Sequence, residues 1–249
     1  MPPSSVGQRP DFCRILLLGD NGSGKTSLIT RFVFNVFSAS SISNEAPTAP
    51  NRHRTQRMVS SYPCIIELVE AEPLPGASKN GDVHADIVKE IANADAVVLV
   101  YSICGLRWHP LHREIGSERD AWRTVPLEGV RRFGNLVKGH VLSEEEGQGS
   151  REEEAVMLVL GCQRDREDLR IVKEDDGRAL AGELGCGFAE VEVESGCEGI
   201  NVVIDRLVMQ VREQRKWRAG GSCKGERLST EKDATDATAT RFWERMLRR

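Results

Sequence analysis

Five short apolar runs punctuate the chain: Arg14 to Leu18, Cys64 to Val69, Ala96 to Ile103, Ala155 to Gly161 and Phe188 to Val193. Each has the length of a strand. The segments A-V-V-L-V-Y and V-M-L-V-L are apolar at consecutive rather than alternate positions. Such strands are buried on both faces, as in a largely parallel sheet held between two layers of helices. Between the runs the period changes. Leu28, Ile29, Phe32 and Val33 fall at i, i+1, i+4 and i+5, and Ile200, Val203, Ile204, Leu207 and Val211 mark a longer amphipathic helix starting after Gly199. The pattern predicts an α/β fold with a mostly parallel central sheet and helices on both faces, and it shows no internal repeat.

Three stretches interrupt this alternation: residues 105–124, the acidic run from Ser143 to Glu154, and the tail from Gly220. The expected organisation is a flexible N-terminus over 1–10, one domain over 11–219 with insertions near 105–124 and 143–154, and a flexible tail over 220–249. Trp108 and Trp122 in the first insertion read as residues that pack it onto its host. The run S-E-E-E-G-Q-G-S-R-E-E-E reads as a solvated loop.

The strongest chemical signal is C-R-I-L-L-L-G-D-N-G-S-G-K-T-S, which fits G-x-x-x-x-G-K-[ST] with Gly19, Gly24, Lys25 and Thr26. A buried strand leads in and an amphipathic helix leads out. The loop between them, Gly19, Asn21, Gly22, Ser23, Gly24, Lys25, Thr26 and Ser27, is therefore placed to aim backbone N–H groups and the positive helix end at phosphate oxygens. Lys25 is expected on the β- and γ-phosphates, and the Thr26 hydroxyl on Mg²⁺.

Composition narrows the setting. Of 249 residues 39% are hydrophobic and 29% charged, with a net charge of −4. No apolar run approaches the roughly 20 residues of a membrane-spanning helix, and there is no domain-wide basic footprint, so nucleic acid is not an expected partner. The start M-P-P-S-S-V carries neither a secretory core nor a Gly at position 2, which gives a cytoplasmic expectation. The seven cysteines (Cys13, Cys64, Cys104, Cys162, Cys186, Cys197 and Cys223) lack C-x-x-C spacing and read as reduced, mostly buried thiols.

Taken together, residues 11 to about 218 resemble the Ras superfamily of small GTPases. G-K-T-S-L-I-T-R-F is similar to the family's first helix, A-D-A-V-V-L-V-Y-S-I to its fourth strand, V-M-L-V-L-G-C-Q-R-D to its guanine-reading strand end, and G-I-N-V-V-I-D-R-L-V to its last helix. The resemblance implies a P-loop NTPase fold of the G-domain type, GTP/GDP and Mg²⁺ as ligands, and effector, exchange-factor and GTPase-activating proteins as partners. It also implies a first-switch threonine on the metal. Thr48, in A-P-T-A-P, is the best-placed candidate and Thr55 a weaker second, while a solvated loop hydroxyl is the other reading of Thr48. In the second switch Glu70 stands for the family's aspartate, Pro73 for its glycine and Leu74 for its catalytic glutamine, with about six extra residues following. Glu70 is still expected to serve the metal. Leu74 cannot orient water, and Asn21 replaces a glycine beside the γ-phosphate, so hydrolysis is expected to be slow and no catalytic residue is assigned.

The family's N-K-x-D reads here as Cys162, Gln163, Arg164 and Asp165. The resemblance makes Asp165 the acceptor for the guanine N1–H and amine, with Gln163 along the base; a helix cap or surface carboxylate is the rival reading of Asp165. The S-A-K-type loop is not recognisable in V-E-V-E-S-G-C-E-G. The chain ends M-L-R-R with Cys223 26 residues from the end, so farnesylation is not expected, and the expected membrane association is at most a peripheral one at an inner face. Two functions follow: a GTP-dependent signalling switch with slow turnover, or a catalytically inactive pseudo-GTPase acting as a binding scaffold.

Overall fold

The computed structural model describes residues 9–37, 51–71, 85–105, 119–144 and 155–220. In chain order these form β1 (Asp11–Leu18), α1 (Lys25–Phe34), β2 (Asn51–Val59), β3 (Tyr62–Glu70), α2 (Ala85–Asn93), β4 (Ala96–Ser102), α3 (Arg119–Glu144), β5 (Val156–Cys162), a 3₁₀ turn (Arg164–Leu169), α4 (Glu174–Glu183), β6 (Gly187–Glu190) and α5 (Glu198–Gly220). The six strands make one sheet in the order β2-β3-β1-β4-β5-β6. All its pairings are parallel except β2 with β3.

The consecutive apolar residues of the central strands divide between two cores by alternation. Cys13, Ile15 and Leu17 of β1 and Val98 and Val100 of β4 join α1 (Leu28, Ile29, Phe32) and α5 (Ile200, Ile204, Leu207, Val208) on one face. Leu16 and Leu18, with Val97 and Leu99, meet α2 (Ile87, Ile91), α3 (Val130, Phe133, Val137) and α4 (Leu180) on the other. Two-sided burial is why β4 and β5 carry no polar alternation. Five of the described cysteines are buried and Cys197 is partly exposed, all of them free.

The sequence pattern does not reveal β2. Its run N-R-H-R-T-Q-R-M-V is polar, because an edge strand with one open face buries little. It joins β3 through Ser60 and Ser61, both at positive φ (50° and 67°), the two-residue hairpin geometry without the Asn-Gly signature that usually betrays it. Thr55 belongs to this strand, opposite Ile66. That is four residues, about 13 Å, along β2 from the end beside Glu70. The second reading of the first-switch threonine is thereby corrected: Thr55 is held away from the loop after β1.

Within the expected insertion over 105–124, residues from Arg119 onward belong to α3, which runs through Pro126, and residues 106–118 lie outside the described residues. Proline removes a helix donor and masks the helix in sequence. Ser143 and Glu144 close the same helix rather than opening a loop. The N-terminal segment 1–8, Thr48, the Glu72 to Gly76 stretch, Trp108, residues 145–154 and the tail from 221 lie outside the described residues. Among the described residues no helix is long and apolar enough to cross a membrane.

Candidate functional site

The loop from Gly19 to Gly24 leaves the buried C-terminal end of β1 and enters α1 at Lys25. Its glycines answer specific demands. A Cβ on Gly19 would lie 2.3 Å from the Val100 carbonyl oxygen, so the loop can cross the end of β4 only without a side chain there. Gly22 and Gly24 adopt φ of 80° and 106°, the left-handed region that other L-residues enter at a cost. Asn21 and Gly22 are exposed at the loop's tip. Ser23 is 1% exposed, and its hydroxyl has no hydrogen-bond partner among the described residues. Helix α1 begins without a side-chain cap and with no acidic residue in its first turn, so its positive end is left for a ligand rather than for its own carboxylates.

Lys25 is buried and its ammonium donates to the carbonyls of Gly19 (2.9 Å) and Asp20 (3.0 Å). The side chain therefore lies back over its own loop. Thr26, one residue on, donates its hydroxyl to Glu70 Oε1 at 2.6 Å. This contact depends on topology, because β1 and β3 run parallel in register with Leu17 opposite Glu70. The strand that feeds the loop and the strand that carries the carboxylate thus end side by side. The result is a hydroxyl and a buried carboxylate, two hard oxygens, next to a helix N-terminus. Ser27 is partly buried on the first turn of α1.

A second cluster forms where β5 ends. Cys162 is fully buried, and a Cβ on Gly24 would lie 3.1 Å from its Cβ, so it floors the glycine loop. Burial, with the Asp165 charge adding to it, pushes the thiol up to about 12, which makes it packing rather than chemistry. Gln163 sits at φ 72° and accepts the Ser102 hydroxyl at 2.9 Å through its side-chain oxygen. Asp165, at the start of the 3₁₀ turn, is partly buried, and its Oδ1 accepts the backbone N–H of Val193 at 3.4 Å.

The loop after β6, which carries no readable motif, is nevertheless fixed to this cluster. Arg31 of α1 donates to the Val193 carbonyl (2.8 Å) and to that of Glu194. Arg170 grips both Glu167 and Glu190, at 2.6 Å and 2.7 Å, and these carboxylates raise its already high pKa. Tyr101 donates its hydroxyl to Glu190, and burial, with the carboxylate adding to it, pushes that phenol up. Val193's backbone N–H, Arg31 and Arg170 are the members of this cluster that sequence reasoning missed. A backbone donor has no residue-type signature, and the arginines are tied to it only by folding.

No protein-family model matches the chain. Ras-like protein B of Aspergillus fumigatus is 24% identical to it over 220 residues, covering 86% of this chain and 83% of the relative. Protein ras-2 of Neurospora crassa is 25% identical over 218 residues, 85% of this chain and 84% of its own. The chain is a divergent relative of the Ras-like small GTPases. Ras-like protein family member 12 of Danio rerio aligns similarly, 25% identical over 82% of this chain and 66% of its own. For this Ras-like chain the α/β fold inferred from the sequence holds: a six-stranded, mostly parallel sheet with helices on both faces. Of the predicted site residues, the structure brings Lys25, Thr26 and Glu70 together at the glycine loop, and places Gln163 and Asp165 across Cys162 from it. Thr48 lies outside the described residues.

Proposed function

We propose that this Ras-like chain binds GTP and GDP with Mg²⁺ and works as a nucleotide-dependent signalling switch. The observation that carries the reading is the 2.6 Å bond from Thr26 to Glu70. It draws a loop hydroxyl and a carboxylate from a separate strand together where a phosphate-bound metal would need them. Mg²⁺ takes oxygen ligands and is commonly held by one or two protein groups plus substrate phosphates, so a hydroxyl and a carboxylate suffice where a cage of three acidic or imidazole groups is absent among the described residues. In this reading Gly19 to Ser27 cradle the phosphates, Lys25 turns from its loop carbonyls to the β/γ oxygens, and Glu70 fills the role of the family's aspartate with one more methylene. Bound Mg²⁺ would neutralise the phosphate charge.

Guanine fits the second cluster. In this reading Asp165 turns its two acceptor oxygens to guanine's two adjacent donors, N1–H and the amine, and the Val193 N–H that now donates to Asp165 is released to the neighbouring O6 acceptor. Adenine presents an acceptor at N1, a donor amine at the O6 position and only a C–H where guanine has its amine. Gln163, with its side-chain oxygen on Ser102, would lend its aliphatic stem to the base. Hydrolysis is proposed to be slow, because Asn21 crowds the γ-phosphate side of the loop and Leu74 cannot orient water. Chromatography of nucleotide released from the freshly purified protein tests the reading, with guanine nucleotide expected. A protein that purifies empty and shows no binding of fluorescent GDP would refute it, as would Lys25→Ala binding as tightly as wild type.

A further inference from the structure

Asp20 puts a carboxylate inside a loop proposed to hold phosphates, where like charge opposes the ligand. The structure shows where that carboxylate goes. A Cβ built on Gly129, in the middle of α3, would lie 2.1 Å from Asp20 Oδ2 and 3.1 Å from Oδ1, so the carboxylate rests directly on the helix backbone. Arg132, one turn along the same helix face, approaches Oδ1 at 3.4 Å, and the Asp20 side chain is only 15% exposed. A glycine inside a helix is destabilising relative to alanine, so Gly129 is unfavourable for α3 itself and is explained by what rests against it.

We propose that Gly129 and Arg132 form a slot that parks the Asp20 carboxylate against α3, away from the phosphate-binding side of the loop, and that Gly129 is thereby a positioning residue for nucleotide affinity. The inference rests on the nucleotide-binding reading above. The clash a Cβ would create is with the far end of a side chain, so Gly129→Ala folds by displacing the carboxylate rather than the helix. With α3 closed to it, the displaced group moves toward the loop, where it repels phosphate oxygens and competes for the Lys25 ammonium, 3.0 Å from the Asp20 carbonyl.

The test is a double-mutant cycle on the full chain with fluorescent GDP in Mg²⁺ buffer, using wild type, Gly129→Ala, Asp20→Asn and the pair, with Asp20→Ala added to Gly129→Ala as a control for bulk. Gly129→Ala is expected to weaken binding on the order of tenfold, the size of a charge effect of about 1.4 kcal/mol. Its melting temperature should stay level or rise, since alanine is the better helix former. Adding Asp20→Asn keeps the bulk and removes the charge, and should restore most of the affinity. An unaltered affinity in Gly129→Ala overturns the inference. So does restoration by Asp20→Ala but not by Asp20→Asn, which would make the effect one of bulk. Wild-type protein that binds no GDP overturns the nucleotide reading and this inference together, whereas the other two outcomes overturn only the slot.

Discussion

Changing Glu70 to glutamine separates a metal-serving carboxylate from a merely structural one. Glu70 is 6% exposed and accepts the Thr26 hydroxyl at 2.6 Å. An amide of the same shape can still accept that bond, so the loss for the fold itself is limited to charge assistance, about 1 kcal/mol. The effect on nucleotide binding is larger, because the glutamine no longer offers an anion to Mg²⁺ or to a water on it. An interaction with a charged group contributes about 1.5–3 kcal/mol, equivalent to roughly 10- to 100-fold in affinity. The assay is titration of fluorescent GDP with millimolar Mg²⁺ and again with EDTA. Wild type should bind much more tightly with the metal. In Glu70→Gln that ratio should fall at least about tenfold while the EDTA affinity changes little. A ratio unchanged by the mutation would show that Glu70 does no more than cap Thr26, and the metal role would have to be given up.

Asp165→Asn should erode the preference for guanine over adenine by a few kcal/mol, about the cost of leaving buried donors unpaired; competition by GTP and ATP against the same fluorescent ligand measures it. Glu67, fully buried between Arg14 (2.5 Å) and Arg54 (2.7 Å), should make stability sensitive to acid. Its burial raises the carboxyl, but the two arginines outweigh that and hold it below its ordinary value. A depressed folded-state value stabilises the protein above the unfolded value of about 4.3, and the contribution is lost as pH falls through the lower one. Thermal melts from pH 6 to pH 3 should show it, with a smaller acid slope in Glu67→Gln. The Ser23 hydroxyl, buried without a partner among the described residues, should not be needed for the fold itself. Ser23→Ala should stabilise the protein by about 1 kcal/mol, or roughly 2–4 °C in Tm, and a lower Tm would mean the hydroxyl is satisfied.

Legibility in the sequence follows the range of each interaction. The glycine loop is contiguous, so Gly19 through Thr26 could be read directly, and β4 and β5 betray themselves because burial on both faces leaves no polar alternation. By contrast β2 hides, since an edge strand tolerates R-H-R-T-Q-R and its Ser-Ser turn has no diagnostic residue. The pairing of Thr26 with Glu70 spans 44 positions and exists only through the parallel register of β1 and β3. A glutamate is one methylene longer than the aspartate that the resemblance implies there, and in three dimensions it reaches the hydroxyl. The loop around Val193 is the limiting case: what it presents is a backbone N–H that donates to Asp165, on a residue whose carbonyl is held by Arg31 from a helix 162 positions away, and no side chain announces it.

Cys162 turns this architecture into a clock. Its thiol is sealed beneath Gly24 and kept protonated by burial, so a thiol reagent can meet its reactive thiolate only when the glycine loop lifts from the end of β5. The modification rate would then count openings of the loop rather than intrinsic reactivity. It would slow with any ligand that holds the loop down, and would report how often the glycine loop and the neighbouring Gln163–Asp165 turn come apart, without a label placed on either.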